Sequence, residues 1–151
     1  RRASHSRETG APVEQSFKTL VAQGKSKQYY VLVLPIAEEV DLKKAAKAVG
    51  EKSIEMIHVK DITAVSGYVR GGCSPIGMKK QYPTVIQECA AQFDKVYVSG
   101  GRIGTTLCMA PEDLKKGQQS GVCGFYSVKT EKTVWKQTRT KKKVLVCFFL
   151  L

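Results

Sequence analysis

Apolar positions fall in short runs separated by segments rich in glycine, proline and lysine. Residues 17–22 alternate well enough for a strand, and GKSK at 24–27 follows as a turn. Residues 29–36, YYVLVLPI, form a near-continuous apolar run of β-branched and aromatic side chains, which predicts a strand buried on both faces. Asp41 is a good N-cap for a helix over 42–49, with Gly50 as the residue just past its end. Residues 54–57 suit a short strand, 59–65 a short helix stopped by Gly67, and 84–87 another short strand. Residues 96–99 and 105–109 predict a hairpin around Gly100 and Gly104, and Pro111 opens a helix with acids in its first turn. Strands and short helices mixed without strict βαβ alternation predict an α/β or α+β fold, a compact mixed β-sheet with flanking short helices.

The two ends read differently. Residues 1–16 are polar and unpatterned, as in a disordered or foreign leader, and the chain starts without Met, which fits a fragment or processed product. Past Lys116 a turn-like glycine segment gives way to a basic polar run over 130–143 and eight apolar residues over 144–151. The expected division is therefore a leader at 1–16, a domain at 17–116 and an atypical basic tail with an apolar terminus at 117–151. Charge follows the same division. Residues 115–151 carry nine bases against one acid, whereas residues 17–114 carry thirteen against ten. The basic character thus belongs mainly to the tail, and the domain is compatible with an RNA partner without requiring one. No apolar run reaches the roughly 18 residues of a membrane span, and nothing near the start looks like a secretory signal. Five widely spaced cysteines with only His5 and His58 to assist fit reduced thiols of a cytoplasmic protein better than a metal site.

The densest chemical signal is GYVRGGCSPIGMKK at 67–80, with four glycines, one proline and three bases. Such a loop brings backbone donors close to a small polar ligand. Gly72 and Gly77 have phosphate-loop spacing, but Met78 stands where the lysine belongs and no Ser or Thr follows, so that assignment fails. The strand at 96–99 running into glycines resembles a dinucleotide site, which would need a helix next; Thr105 to Met109 start one poorly, and a hairpin turn fits better. Lys18 sits inside a strand pattern, where it either snorkels to solvent or turns inward as a cation facing a pocket. Cys73 is either a bystander thiol or a nucleophile served by His58, and no carboxylate stands out to orient such a pair. Lys79 and Lys80 are a solvated edge or contacts for a phosphate backbone.

Four blocks in order, FKTLV at 17–21, DLKKAAKAVG at 41–50, GYVRGGCSPIG at 67–77 and VSGG at 98–101, closely resemble the YbaK/EbsC family of free-standing Cys-tRNA(Pro) deacylases, relatives of the prolyl-tRNA synthetase editing domain. The resemblance covers residues 17–116. It implies an aminoacyl-ester pocket in a mixed sheet, acting on aminoacylated tRNA, with prolyl-tRNA synthetase as a further partner and with no metal or nucleotide cofactor. Lys18 matches the family's essential pocket lysine. Gly71 and Pro75 match its G-x-x-x-P loop, which implies substrate contacts from Gly71, Gly72, Ser74, Pro75 and Gly77. Ser99, Gly100 and Gly101 match the opposite wall. The family mechanism is substrate-assisted, the thiol of the bound cysteine attacking its own ester carbonyl.

Two departures stand beside these matches. The family carries a pocket tyrosine upstream of the lysine, and residues 1–16 supply none. Some relatives have an acid at the position of Thr106, and the family's final strand is not recognisable past Lys116. Missing edge elements predict lower stability than in an intact relative. The alternative function is a catalytically silent domain that binds tRNA or the synthetase.

Overall fold

A computed structural model describes residues 10–117 and the backbone of residues 123–126. Strand β1 (Phe17–Gly24) runs antiparallel to β2 (Tyr29–Pro35), with Phe17 opposite Pro35 and Gln23 opposite Tyr29. The turn between them places Lys27 at φ 70°, and its N–H bonds the Gly24 carbonyl at 2.9 Å. Helix α1 (Leu42–Val49) starts where Asp41 accepts from the N–H groups of Lys43 and Lys44 at 3.0 and 3.1 Å. It ends at Gly50, whose φ of 74° is the left-handed conformation that stops a helix. Next come β3 (Ile54–Met56), a 3-10 turn (Val59–Asp61) and α2 (Ile62–Ser66). The strand is one residue shorter than the pattern predicts, and the single helix expected over 59–65 is instead this turn and helix in succession.

Strand β4 (Thr84–Gln87), a 3-10 turn (Glu88–Gln92) and the hairpin β5 (Val96–Ser99) with β6 (Thr106–Met109) follow, then α3 (Pro111–Lys116) and β7 (Cys123–Tyr126). The main sheet has the order β3-β1-β2-β4-β7, and β5-β6 forms a separate two-stranded sheet. The result is a mixed α/β fold with a central sheet and flanking helices.

Two corrections to the sequence analysis come from the ends. Residues 123–126, which lie where the sequence suggests turn and tail, pair with β4 in parallel register, Thr84 with Cys123 and Gln87 with Tyr126. The sheet therefore has a final strand after all. At the other end, ordered structure begins before Phe17. Ala11 and Ser16 are buried, and Ser16 bridges Tyr97 of β5. The remainder of the expected leader and tail lies outside the described residues.

Strand alternation sorts the core onto two faces of the sheet. Phe17, Val31, Val33 and Ile86 pack with Val96, Val98 and Leu114 on one face. Leu32, Leu34 and Val85 pack with Ala45, Ala46 and Ile54 on the other. Leu32, Leu34 and Ile86 are fully buried, each contributing on the order of 1.5–3 kcal/mol. No helix among the described residues is long and apolar enough to cross a membrane.

One feature of the sheet creates the site. Strand β3 pairs with β1 only at residues 22–24, and on the side of β5 the pairing is limited to the Ser16–Tyr97 bridge just before β1. The Val21 carbonyl accepts from the Ile57 N–H at 3.3 Å on this outer side, while the Ser16 carbonyl accepts from Ile36 on the β2 side at 2.9 Å. By alternation, the N–H and C=O of Thr19 point outward with those of Val21. Between β3 and β5 the edge of β1 is therefore open.

Candidate active site

A cavity of about 780 Å³ occupies that gap, within the range typical of small-molecule sites. Ser16 and residues 17–21 of β1 form its floor, Tyr97, Val98 and Ser99 of β5 with Thr106 of β6 form one wall, and Ile57, Val59 and Ile62 form the other. Arg70, Gly71 and Cys73 close it from the glycine loop.

Lys18 is half-buried and lies opposite Leu34. Its Nζ donates to the backbone carbonyls of Ile36, at 3.3 Å, and Glu38. These contacts hold the ammonium against backbone carbonyls of the segment after β2. The same bonds tie β1 to the segment after β2, whose Ile36, Glu39 and Val40 also line the cavity.

Gly71 occupies the third position of a turn that the Gly72 N–H closes onto the Val69 carbonyl at 3.0 Å. Its φ of 85° is the conformation this position demands, and a Cβ there would meet nothing within 4 Å. Open space thus adjoins its backbone. Ser99 ends β5, and its Oγ accepts from the Gly101 N–H at 3.3 Å.

Lys18, Gly71 and Ser99 are the expected site residues that line this cavity. The other six, Gly72, Ser74, Pro75, Gly77, Gly100 and Gly101, do not line it. Ser74 is buried and its Oγ accepts from the Ile76 N–H at 3.3 Å. Pro75 and Gly77 line a separate cavity of about 220 Å³ beside Met78 and Tyr82. A Cβ on Gly101 would fall 2.7 Å from Tyr68 Cε1, and one on Gly77 would fall 2.9 Å from the Tyr68 hydroxyl. That hydroxyl donates to the Ile76 carbonyl at 2.6 Å. Tyr68 is thus a brace wedged between the glycine loop and the hairpin, and these two glycines make room for it. Gly72 lies beside the backbone of Arg102 and Ile103, where a Cβ would make ordinary contact, whereas a Cβ on Gly100 would fall 2.6 Å from the Thr105 methyl.

The Cys73–His58 pairing does not form. Cys73 lines the cavity with its Sγ 3.5 Å from Ser66 Oγ, whereas His58 lines a different groove beside Gln23 and Lys25. Burial pushes the Cys73 thiol up, only partly offset by the Ser66 hydrogen bond, so the thiolate is disfavoured. Among the described residues Cys73 and Cys108 are free thiols.

Thr19, Glu39 and Tyr97 also line the cavity and were not among the expected site residues. Tyr97 had a signal in the sequence. It alternates with Val96 and Val98, which are fully buried, so it had to face the opposite side of β5. Its phenol is raised by a hydrogen bond with Cys108 across the hairpin. Thr19 carries no local signal, because its place depends on which strands pair with β1.

The mixed sheet gapped beside β1, with helices flanking it, has the YbaK-like editing fold. The chain belongs to the aminoacyl-tRNA editing domain family, whose sequence profile matches residues 3–116. That match includes most of the segment expected to be a leader. A relative from Enterococcus faecalis (strain ATCC 700802 / V583), provisionally named Cys-tRNA(Pro)/Cys-tRNA(Cys) deacylase EbsC, is 53% identical over 98 residues. That alignment covers 65% of this chain and spans 60% of the relative's length. Among solved structures, the hypothetical protein APE2540 superposes with a TM-score of 0.75 at 20% identity, over 85% of this chain and 83% of its own. A protein described provisionally as a trans-editing enzyme for prolyl tRNA synthetase gives 0.71 at 22% identity, over 84% and 79%. At these identities the likeness is one of fold.

Proposed function

We propose that this domain cleaves the aminoacyl ester of mischarged Cys-tRNA(Pro) in trans, with residues 17–116 as the editing unit. The observation that carries this reading is the convergence of Lys18, the Gly71 turn and Ser99 on one cavity, in a chain whose family edits aminoacyl-tRNA. Prolyl-tRNA synthetase is the natural source of the mischarged substrate and a candidate partner.

The chemistry needs no triad. The thiol of the bound cysteine attacks its own ester carbonyl, the new C–S bond replaces the bond to the ribose oxygen, and that oxygen leaves with the thiol proton. Water then opens the small thiolactone. The domain must hold the thiol and carbonyl in attack geometry and stabilise the negative charge that develops on the carbonyl oxygen. Positioning of this kind is worth up to about 7–11 kcal/mol. Lys18 supplies positive charge at the cavity floor. The outward N–H of Thr19 and the Gly71 turn supply neutral donors. The raised thiol of Cys73 is a spectator, because the attacking sulfur arrives with the substrate.

The test is release of amino acid from tRNA(Pro) charged with cysteine, with S-methylcysteine and with alanine. Release confined to free cysteine supports the reading. Equal release from all three would show that the substrate thiol is not the nucleophile.

A further inference from the structure

Besides its side chain, an aminoacyl ester brings two polar groups into a cavity. One is the ester carbonyl, which becomes negative during attack. The other is the α-amino group, which is positive when protonated, as α-amino groups mostly are at neutral pH. The cavity meets these groups unequally. Tyr97, Val98, Ser99 and Thr106 make the hairpin wall neutral, and Ile57, Val59 and Ile62 make the facing wall apolar. Among the described residues that line the cavity, Lys18 and Arg70 carry positive charge and Glu39 alone carries negative charge. Two cations suit a developing oxyanion but repel an ammonium, so the favourable place for an amine is beside Glu39.

The chain fixes Glu39 next to Lys18. A turn over residues 35–38 is closed by the Glu38 N–H on the Pro35 carbonyl at 3.1 Å. Lys18 Nζ donates to the Glu38 carbonyl, which belongs to the peptide unit joining Glu38 to Glu39. A second bond from Nζ, to the Ile36 carbonyl at 3.3 Å, holds the same turn. On the other side, Asp41 is tied into α1 by the N–H groups of Lys43 and Lys44 at 3.0 and 3.1 Å. The backbone on both sides of Glu39 is thereby anchored. Glu38 is buried, whereas Glu39 is exposed at the rim of the cavity that it lines.

We infer that Glu39 receives the α-ammonium of the aminoacyl group and so restricts the domain to esters whose amino group is free. The inference rests on the proposed action on an aminoacyl ester and adds the residue that reads its amine. Lys18 and Glu39 form a two-point frame, the cation toward the ester oxygen and the carboxylate toward the amine. Fixing both ends in this way sets the direction in which the α-carbon turns its side chain. An N-acylated ester, formylated or peptidyl, offers a neutral amide at the same place. It loses the charge-assisted hydrogen bond, roughly twice as strong as a neutral one, and presses an acyl group on the carboxylate.

The experiment uses the full chain and two non-hydrolysable probes, 3′-amino-3′-deoxyadenosine acylated with alanine through an amide, and the same compound N-acetylated. Affinities are measured by isothermal titration calorimetry. The free amine is expected to bind at least about 10-fold more tightly than the acetylated probe, the strength of one hydrogen bond to a charged group. In Glu39→Gln that preference should vanish through weaker binding of the free amine alone, and Glu39→Asp should retain part of it. A preference that survives Glu39→Gln would overturn the inference, as would failure of the free-amine probe to bind. Equal weakening of both probes would also overturn it, since that is the mark of a residue that only props the Lys18 segment. Neither probe carries a scissile ester, so the outcome is separable from deacylation. A Glu39-dependent amine preference without cysteine release from Cys-tRNA(Pro) would sink the proposed function alone. Cysteine release without that preference would sink this inference alone.

Discussion

At the residue scale the central prediction concerns Lys18. Its ammonium is anchored on the carbonyls of Ile36 and Glu38 at the cavity floor. Lys18→Ala is expected to reduce cysteine release at least 100-fold while a circular dichroism spectrum stays native. Two glycines separate backbone strain from steric clash. Gly71→Ala meets open space, so it costs only the left-handed φ, about 1 kcal/mol. Gly101→Ala combines φ 94° with a Cβ 2.7 Å from the Tyr68 ring and should cost about 2–3 kcal/mol. Urea denaturation of the two variants checks the order, and equal losses would contradict it. These roles were only half legible in the sequence. The glycine loop announced itself by composition, but a string of glycines does not say which one lines a cavity and which ones accommodate Tyr68. Lys18 had two plausible fates in a strand, and the carbonyls that meet its Nζ belong to the segment after β2, which no local pattern reveals.

At the scale of elements, local signals proved dependable where the cause is local. Helix α1 carries its own cap and stop in Asp41 and Gly50, so it was legible to the residue. Asp41→Ala removes the acceptor for two N–H groups and should cost about 1 kcal/mol. Strand β7 was missed because parallel pairing with β4 is decided across the molecule, and a short segment containing glycine carries little pattern of its own. The open edge of β1 was illegible for the same reason. A second elemental link joins the sheet to the end of α1, where the Tyr30 hydroxyl donates to Glu51 Oε1 at 2.8 Å. Burial first, and the Glu51 carboxylate next, push the Tyr30 phenol up to about 12. The folded state thus holds this proton more tightly than the unfolded chain. Its contribution is complete below pH 10 and is lost as pH rises through about 12. Tyr30→Phe should therefore be less stable at neutral pH by about 1 kcal/mol. The gap to the unsubstituted protein should narrow above pH 10, which chemical denaturation at pH 8 and pH 11 would reveal. A constant gap would contradict the assignment.

For the whole molecule, the sheet order β3-β1-β2-β4-β7 makes β7 the cover of one edge of the core. The expectation of an exposed edge after Lys116 is thereby removed, and a sharper prediction replaces it. A chain ending at Gly117 leaves the N–H and C=O groups of β4 unpaired on that side. Its melting temperature should fall by at least about 5 °C, the shift of roughly 1 kcal/mol in a domain of this size. An unchanged melt would mean that β7 contributes nothing to the sheet. The gap on the opposite side is different in kind. There the uncovered edge of β1 is the floor of the cavity, with Lys18 among its residues. In the proposed function this gap cleaves an aminoacyl ester through Lys18-dependent positioning. The most direct test is the rate of cysteine release from Cys-tRNA(Pro) by the intact chain and by Lys18→Ala, both shown to be folded. Rapid release by the first and release at the buffer rate by the second is the predicted result. Equal rates for the two proteins, whether both fast or both at the buffer rate, would contradict it.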